Sequence, residues 1–290
     1  MRLGLHALGI GAGADRAVID AVASTADGCG FANLWAGEHV VMVDRSGSRY
    51  PYSDDGVIAV PAQADWLDPM IALSFAAAAS TRIGVATGVL LLPEHNPVVV
   101  AKQAASLDRL SRGRLTLGVG VGWAKEEFAA LGVPFEHRGA RTAEYVAAMR
   151  ALWHDDVASF DGDFVGFDAI RVNPKPLRDR RIPIVLGGNS DAALRRVVVW
   201  GDGWYGFNLD GVATVRERIG RLEQMCAETG RDRGGLRVSV ALRNPSVGDV
   251  GALAESGVDE LVLVQAPPDH PEAAAGWVSA LADRWMAALR

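Results

Sequence analysis

The feature that most limits what this chain can become is the alternation of short Val/Leu/Ile runs with longer helical patterns along its 290 residues. Alternation of this kind builds βα units around a parallel sheet and excludes all-β and all-α designs. Strand-like runs fall at residues 3–8, 33–39, 83–92, 115–122, 182–187, 203–207, 236–242 and 260–265. Helical patterns lie between them at 15–29, 69–79, 97–110, 139–153, 191–200, 212–229 and 250–255, with 271–289 closing the ring. Eight strands predict an α/β chain folded as one closed (β/α)8 TIM barrel spanning residues 1–290. Asp68 before Pro69, Asn96 before Pro97 and Ser190 before Asp191 each place a capping side chain at a helix start.

Composition narrows the function classes. A net charge of -6 with scattered arginines gives no basic face for a phosphate backbone, so no nucleic-acid partner is expected. Cys29 and Cys226 have neither CxxC nor finger spacing, which predicts free thiols and a cytoplasmic setting. No export signal is read at the start, and the apolar run around residues 71–79 is far shorter than the ~20 residues of a bilayer span, so no membrane role is expected.

Two connections exceed what barrel geometry requires, and long loops in compact folds tend to be lids or binding segments. The first, residues 40–67, follows the second strand and carries Tyr50, Pro51, Tyr52, Asp54 and Asp55. An insertion at residues 154–181, between the fourth helix and fifth strand, reads as a hairpin around Asp161 and Gly162 followed by Pro174 and Pro176. Its base should lie at the end of the barrel away from the active-site loops.

Candidate chemistry gathers at the C-terminal ends of the strands. Glu38 and His39 close the second strand and place two titratable groups on the rim, with His39 the leading acid/base candidate. His6 and His95 are weaker candidates on the same face. The run Gly118, Val119, Gly120, Val121, Gly122, Trp123 lets something planar approach, or lets the barrel interior pack. Gly187, Gly188, Asn189 and Ser190 precede a helix and offer backbone N–H groups to an anion. No HxH, HExxH or GxSxG pattern occurs, so neither a metal centre nor a serine nucleophile is expected. Of Trp35, Trp66, Trp123 and Trp204, at least two should be core, while large aromatics near the rim can wall an apolar pocket.

Taken together, residues 33–39, the run from Ala86 to Pro93 with Asn96 and Pro97, the GVGVGW strand with Glu126 and Glu127, and LGGNSDAALRR resemble the luciferase-like family over nearly the whole chain. YPYSDDG (50–56) and WLDP (66–69) are similar to its actinobacterial branch that uses the deazaflavin coenzyme F420. The resemblance implies a bulge at Thr87, Gly88 and Val89 with a non-prolyl cis peptide between Gly88 and Val89. It also implies cofactor phosphate at Gly187 to Ser190, Gly120 and Gly122 flanking the cleft, and His39 beside the reacting face. His6, Tyr52, Trp66 and Trp123 are then expected to line the substrate pocket. Trp123 stands where the sugar-phosphate dehydrogenases of this superfamily have a glutamate acid, so their substrate does not carry over. Glu38 replaces the aspartate usual before the histidine.

The resulting expectation is an oxidoreductase, in family terms a homodimer, that transfers hydride between F420 and a small organic substrate. An FMN-dependent monooxygenase on the same scaffold is the alternative, and a barrel that binds cofactor without turnover is a third.

Overall fold

The computed structural model describes residues 1–289. Its strands in chain order are β1 (Arg2–Leu8), β2 (Asn33–Ala36), β3 (Gly84–Thr87), β4 (Leu90–Leu91), β5 (Leu115–Gly120), β6 (Ala158–Asp161), β7 (Gly166–Ile170), β8 (Ile184–Gly187), β9 (Gly203–Leu209), β10 (Arg237–Leu242) and β11 (Glu260–Val264). The helices are α1 (Arg16–Cys29), α2 (Pro69–Ala78), α3 (Pro97–Leu110), α4 (Lys125–Ala130), α5 (Arg138–His154), α6 (Asp191–Trp200), α7 (Val212–Thr229), α8 (Asp249–Glu255) and α9 (Pro271–Met286).

All strands except β6 and β7 join one parallel sheet in the order β3-β2-β1-β11-β10-β9-β8-β5-β4, and pairing of β3 with β5 closes it. Since β3 and β4 occupy one stave, the result is an eight-staved TIM barrel, as the strand count predicts. Register runs through His6 opposite Trp35 and Val264, Trp35 opposite Ala86, and Gly118 opposite Val185. The barrel interior holds Trp35, Ala86, Val185, Tyr205, Ala241 and Val262, one residue from each of six staves, while the larger core lies between sheet and helices.

Local sequence explains the helices. In α3 the Asn96 side chain accepts from the Val98 and Val99 amides, Pro97 fills the first turn, and Val100, Ala101, Ala104, Ala105 and Leu107 face inward at helical spacing. Burying a side chain the size of Val100 or Leu107 contributes about 1.5–3 kcal/mol. The helix stops past Ser111, where Arg112 and Gly113 take positive φ values of 60° and 77° and the Gly113 amide donates back to the Asp108 carbonyl. Asp68 and Ser190 cap α2 and α6 in the same way. No helix among the described residues is long and apolar enough to cross a membrane.

Three details differ from the expected boundaries, and each moves a functional residue. The second strand ends at Ala36 rather than at residue 39, so Glu38 and His39 stand on the loop above it. The third is interrupted between Thr87 and Leu90, with the expected cis peptide at Gly88–Val89, and both halves pair with β5. The short helix α4 was not expected at all, because its first residue follows Ala124, which offers no side-chain cap.

The two long connections take different routes. Residues 37–68 form no helix or regular strand; just past the end of β1 they are held by an Ile10–Trp66 bridge, with the Leu67 amide donating to the Gly9 carbonyl and the Gly11 amide to the Asp65 carbonyl. The hairpin β6–β7 has its base beside the C-terminal ends of α3 and α5, where the Leu177 amide meets Asp108 and Lys175 meets the Leu152 carbonyl, at the end away from the mouth. From there its turn climbs the outer side of α5, and Glu144 accepts from the Asp163, Phe164 and Val165 amides.

Candidate active site

His39 is the centre of the polar arrangement at the mouth. Its Nδ1 lies 2.8 Å from Glu127 Oε2, and the two side chains are 8% and 1% exposed. A carboxylate only accepts, so Nδ1 carries the proton of this bond and Nε2 is left to face a reactant. Glu127 is itself fixed, because its other oxygen accepts from the Val40 amide at 2.7 Å and the Val41 amide at 3.3 Å. Trp66 and Trp123 stand edge-on to the imidazole with centroids at 4.9 and 5.7 Å, which keeps water from it.

Glu38 turns the other way. Its Oε2 accepts from the Leu91 amide at 2.5 Å and its Oε1 from His95 Nε2 at 3.0 Å, so this buried carboxylate ties the second half of the third stave in place. Burial works against a charge on His95, but the hydrogen bond and charge of Glu38, helped by Asp68 and Glu127, hold its pKa above the ordinary histidine value. Between these pairs lies Glu94, with both oxygens buried and without a partner among the described residues. Burial first, then the charges of Glu127 and Glu38, push its carboxyl up to about 9. Gly122 is part of this arrangement: a Cβ there would stand 2.9 Å from Glu94 Oε1 and collide with the Phe128 ring.

The floor is aromatic. Trp35 and Tyr205 stack at 4.6 Å, and above them His6 Nδ1 lies 3.3 Å from the Tyr205 hydroxyl. The small residues of the neighbouring staves serve the bulge above this floor. A Cβ on Gly120 would come within 2.6 Å of Val89 and one on Gly187 within 3.0 Å, while one on Gly118 would run into the Thr87 carbonyl. Thr87 itself is buried, its hydroxyl donating to the Gly118 carbonyl at 2.7 Å.

Residues 37–68 supply the cover. The Tyr50 ring packs on Trp123 at 5.3 Å and on Tyr52 at 5.4 Å, and Tyr52 packs on Phe207 at 5.4 Å. Burial raises the Tyr52 phenol to about 12 and raises Tyr50 as well, so neither ionises near neutrality. Glu126 accepts from the Gly47 and Ser48 amides, Asn208 donates to the Tyr52 carbonyl, and Arg243 pairs with Asp54, so the loop is pinned at several points along its length. Trp66 is anchored by its indole N–H to the Gly37 carbonyl at 3.0 Å.

The turn from Gly187 to Ser190 lies across the same mouth, close to Tyr52. Gly188 takes a φ of 105°, Ser190 caps α6, and the Asn189 amide side chain is clasped to the backbone of Phe207 by two hydrogen bonds. With those side chains committed, the backbone N–H groups of Gly188, Asn189 and Ser190 have no acceptor among the described residues and point from the positive end of a helix.

A comparison with known proteins fits this geometry. The sequence profile of the luciferase-like monooxygenases matches residues 3–287. The chain belongs to that family. It is 35% identical over 271 residues to an uncharacterised protein of Mycobacterium bovis, covering 92% of this chain and 94% of the relative. An FMNH2-dependent dimethylsulfone monooxygenase of Pseudomonas putida is 31% identical over 192 residues, covering 65% of this chain and 52% of that enzyme. Among solved structures, the coenzyme F420-dependent tetrahydromethanopterin reductase of Methanopyrus kandleri superposes with a TM-score of 0.76 at 14% identity, covering 100% of this chain and 99% of that one.

Within this luciferase-like barrel, the structure brings His6, His39, Tyr52, Trp66 and Trp123 to one mouth, and it sets Gly120 and Gly187 behind Val89. Glu38 stands aside, holding the third stave. Trp35 and Trp204 are core, as expected of at least two of the four tryptophans. Reading the sequence assigned no role to Glu127, Glu94, Tyr205 or Phe207. Glu127 carried a visible signal, since it lies a few residues past the GVGVGW run, but its partner is 88 residues away.

Proposed function

We propose that this luciferase-like protein is an oxidoreductase that binds coenzyme F420 across its barrel mouth and acts on an uncharged small organic substrate. The observation that carries the reading is the shielded His39–Glu127 pair, an acid/base unit with Nε2 free, beside a helix-start turn whose amides have no acceptor. Residues of the site fit such a cofactor: the amides of Gly188, Asn189 and Ser190 suit its phosphate, and the apolar face of Val89 at the bulge suits a flat ring. When bound, the deazaflavin supplies hydride transfer, whereas a flavin in its place would supply oxygen activation. Everything else falls to the chain. Glu127 fixes the tautomer and orientation of His39, which gives or takes a proton through Nε2; Trp66, Trp123, Tyr50 and Tyr52 exclude water; and Glu38 with His95 holds the bulge in place.

An FMN-dependent monooxygenase is the second reading. Two observations favour it: the relative from Pseudomonas putida is FMNH2-dependent, and the aromatic cover suits chemistry that must be kept from water. Titrating the purified protein with F420 and with FMN, and following quenching of cofactor and tryptophan fluorescence, decides between them. Tight, saturable F420 binding with weak FMN binding is expected. The opposite order establishes the second reading, and binding of neither overturns both.

A further inference from the structure

His6 Nε2 is one of the few side-chain atoms buried without a partner among the described residues, and the residue as a whole is 7% exposed. An orphaned polar atom of this kind costs on the order of 1–3 kcal/mol, so its persistence calls for a use. Two residues without side chains face the ring. A Cβ on Gly37 would lie 3.3 Å from Nε2, and one on Gly88 would lie 3.4 Å from Cε1. Neither stave end therefore places a side chain against that edge of the imidazole.

The other nitrogen settles the tautomer. Tyr205 is buried, burial keeps its phenol protonated, and its hydroxyl has His6 Nδ1 as its one side-chain partner. An O–H that must donate makes Nδ1 the acceptor, which leaves the ring proton on Nε2. Burial lowers the His6 pKa to about 4, so the ring is neutral in the working range. Around it stand Trp35, Tyr205 and Phe207. Glu260, the buried acid beneath them, is engaged by Trp35, Asn33 and Ser239.

We propose that His6 Nε2–H is the specificity-determining donor of this site, and that it receives the single acceptor oxygen of an uncharged, otherwise apolar substrate such as a ketone, aldehyde or ester. Tyr205 is its positioning residue. The proposal rests on the reading of the mouth as a cofactor and substrate site, and it adds the chemical class of the substrate. A charged group would meet no counter-charge on this floor, and a pure hydrocarbon would leave the donor unpaired.

The test uses the cofactor-loaded protein and two probes of nearly equal shape, acetophenone and ethylbenzene, which differ by one carbonyl oxygen. Affinities come from calorimetry, and 15N-histidine NMR reads the ring directly. The wild-type protein should bind acetophenone about tenfold more tightly, and His6→Leu should abolish the preference. Tyr205→Phe removes only the hydroxyl, frees the tautomer and should reduce the preference to about threefold. The Nε2 resonance of His6 should move with acetophenone and stay put with ethylbenzene. Equal binding of the two probes, binding of neither, or a preference that survives in His6→Leu overturns the proposal. Should His6→Leu fail to fold, Tyr205→Phe and the NMR shift decide it. Failure of either cofactor to load the barrel would strike the reading of the mouth instead, and is seen before any probe is added.

Discussion

Glu260 and Glu94 are buried carboxyl groups at opposite ends of the barrel, and they are treated in opposite ways. At the N-terminal end Glu260, 2% exposed, accepts from Asn33 at 2.9 Å, Trp35 at 3.2 Å and Ser239 at 3.0 Å. Burial raises its pKa, and those three hydrogen bonds pull it back. At the mouth Glu94, 7% exposed, has no partner for either oxygen and faces two further carboxylates. A satisfied buried acid specifies structure, whereas an unsatisfied one costs stability and here stands at the end where the proposed chemistry would take place. His6 and Tyr205 stand at the junction of these regimes.

The contrast is sharpest where it can be broken. Glu260→Ala should cost the most, about 3–5 kcal/mol in urea denaturation, because three buried donors lose their acceptor at once. A loss below about 1 kcal/mol would show that the lower network is ornamental. His39→Ala should weigh the other way: Glu127 keeps its two amide donors, so the stability lost should be about 1–3 kcal/mol, below that of Glu260→Ala, while turnover drops about 100-fold and cofactor affinity stays within about threefold. Unchanged turnover would remove His39 from the mechanism.

Glu94→Gln gives the smallest effect and the finest test. The carboxyl titrates near 9 when folded and near 4.5 when unfolded, so the native state holds the extra proton between those values. Stability of the wild-type protein therefore falls as pH rises through that window. Glutamine has nothing to ionise, so the variant should gain about 1–3 kcal/mol at pH 8 and nothing at pH 4. Thermal melts at both values check this, and parallel curves would erase the distinction drawn between Glu94 and Glu260.

Much of the architecture was legible because it is written locally. Asn96 with Pro97, Asp68 with Pro69 and Ser190 with Asp191 announce helix starts through contacts only a few residues long, and the hydrophobic period of each stave is equally local. His39, Trp66 and Gly188 were singled out the same way, from their places at strand and loop boundaries, and all three lie at the mouth. Glu127 escaped because α4 is six residues long and uncapped, and because its bond to His39 exists only once the barrel has brought the two loops together. The orphaned state of Glu94 and of His6 Nε2 depends on what is absent around them in three dimensions, which no spacing rule encodes. Glu38 misled for a related reason: its position on the rim was right, but the third stave turns its carboxylate toward Leu91 and His95.

The seam of the barrel has a further consequence for biosynthesis. β1 pairs with β11, and α1 packs against α9, so the first stave waits for nearly the last one. During translation the nascent sheet keeps an unprotected lateral edge at β1 until residues 260–264 have left the ribosome, which exposes it to mispairing with other chains. Removing the last two elements would leave β1 and β10 both unzipped, so a shortened chain should aggregate instead of folding as a smaller barrel.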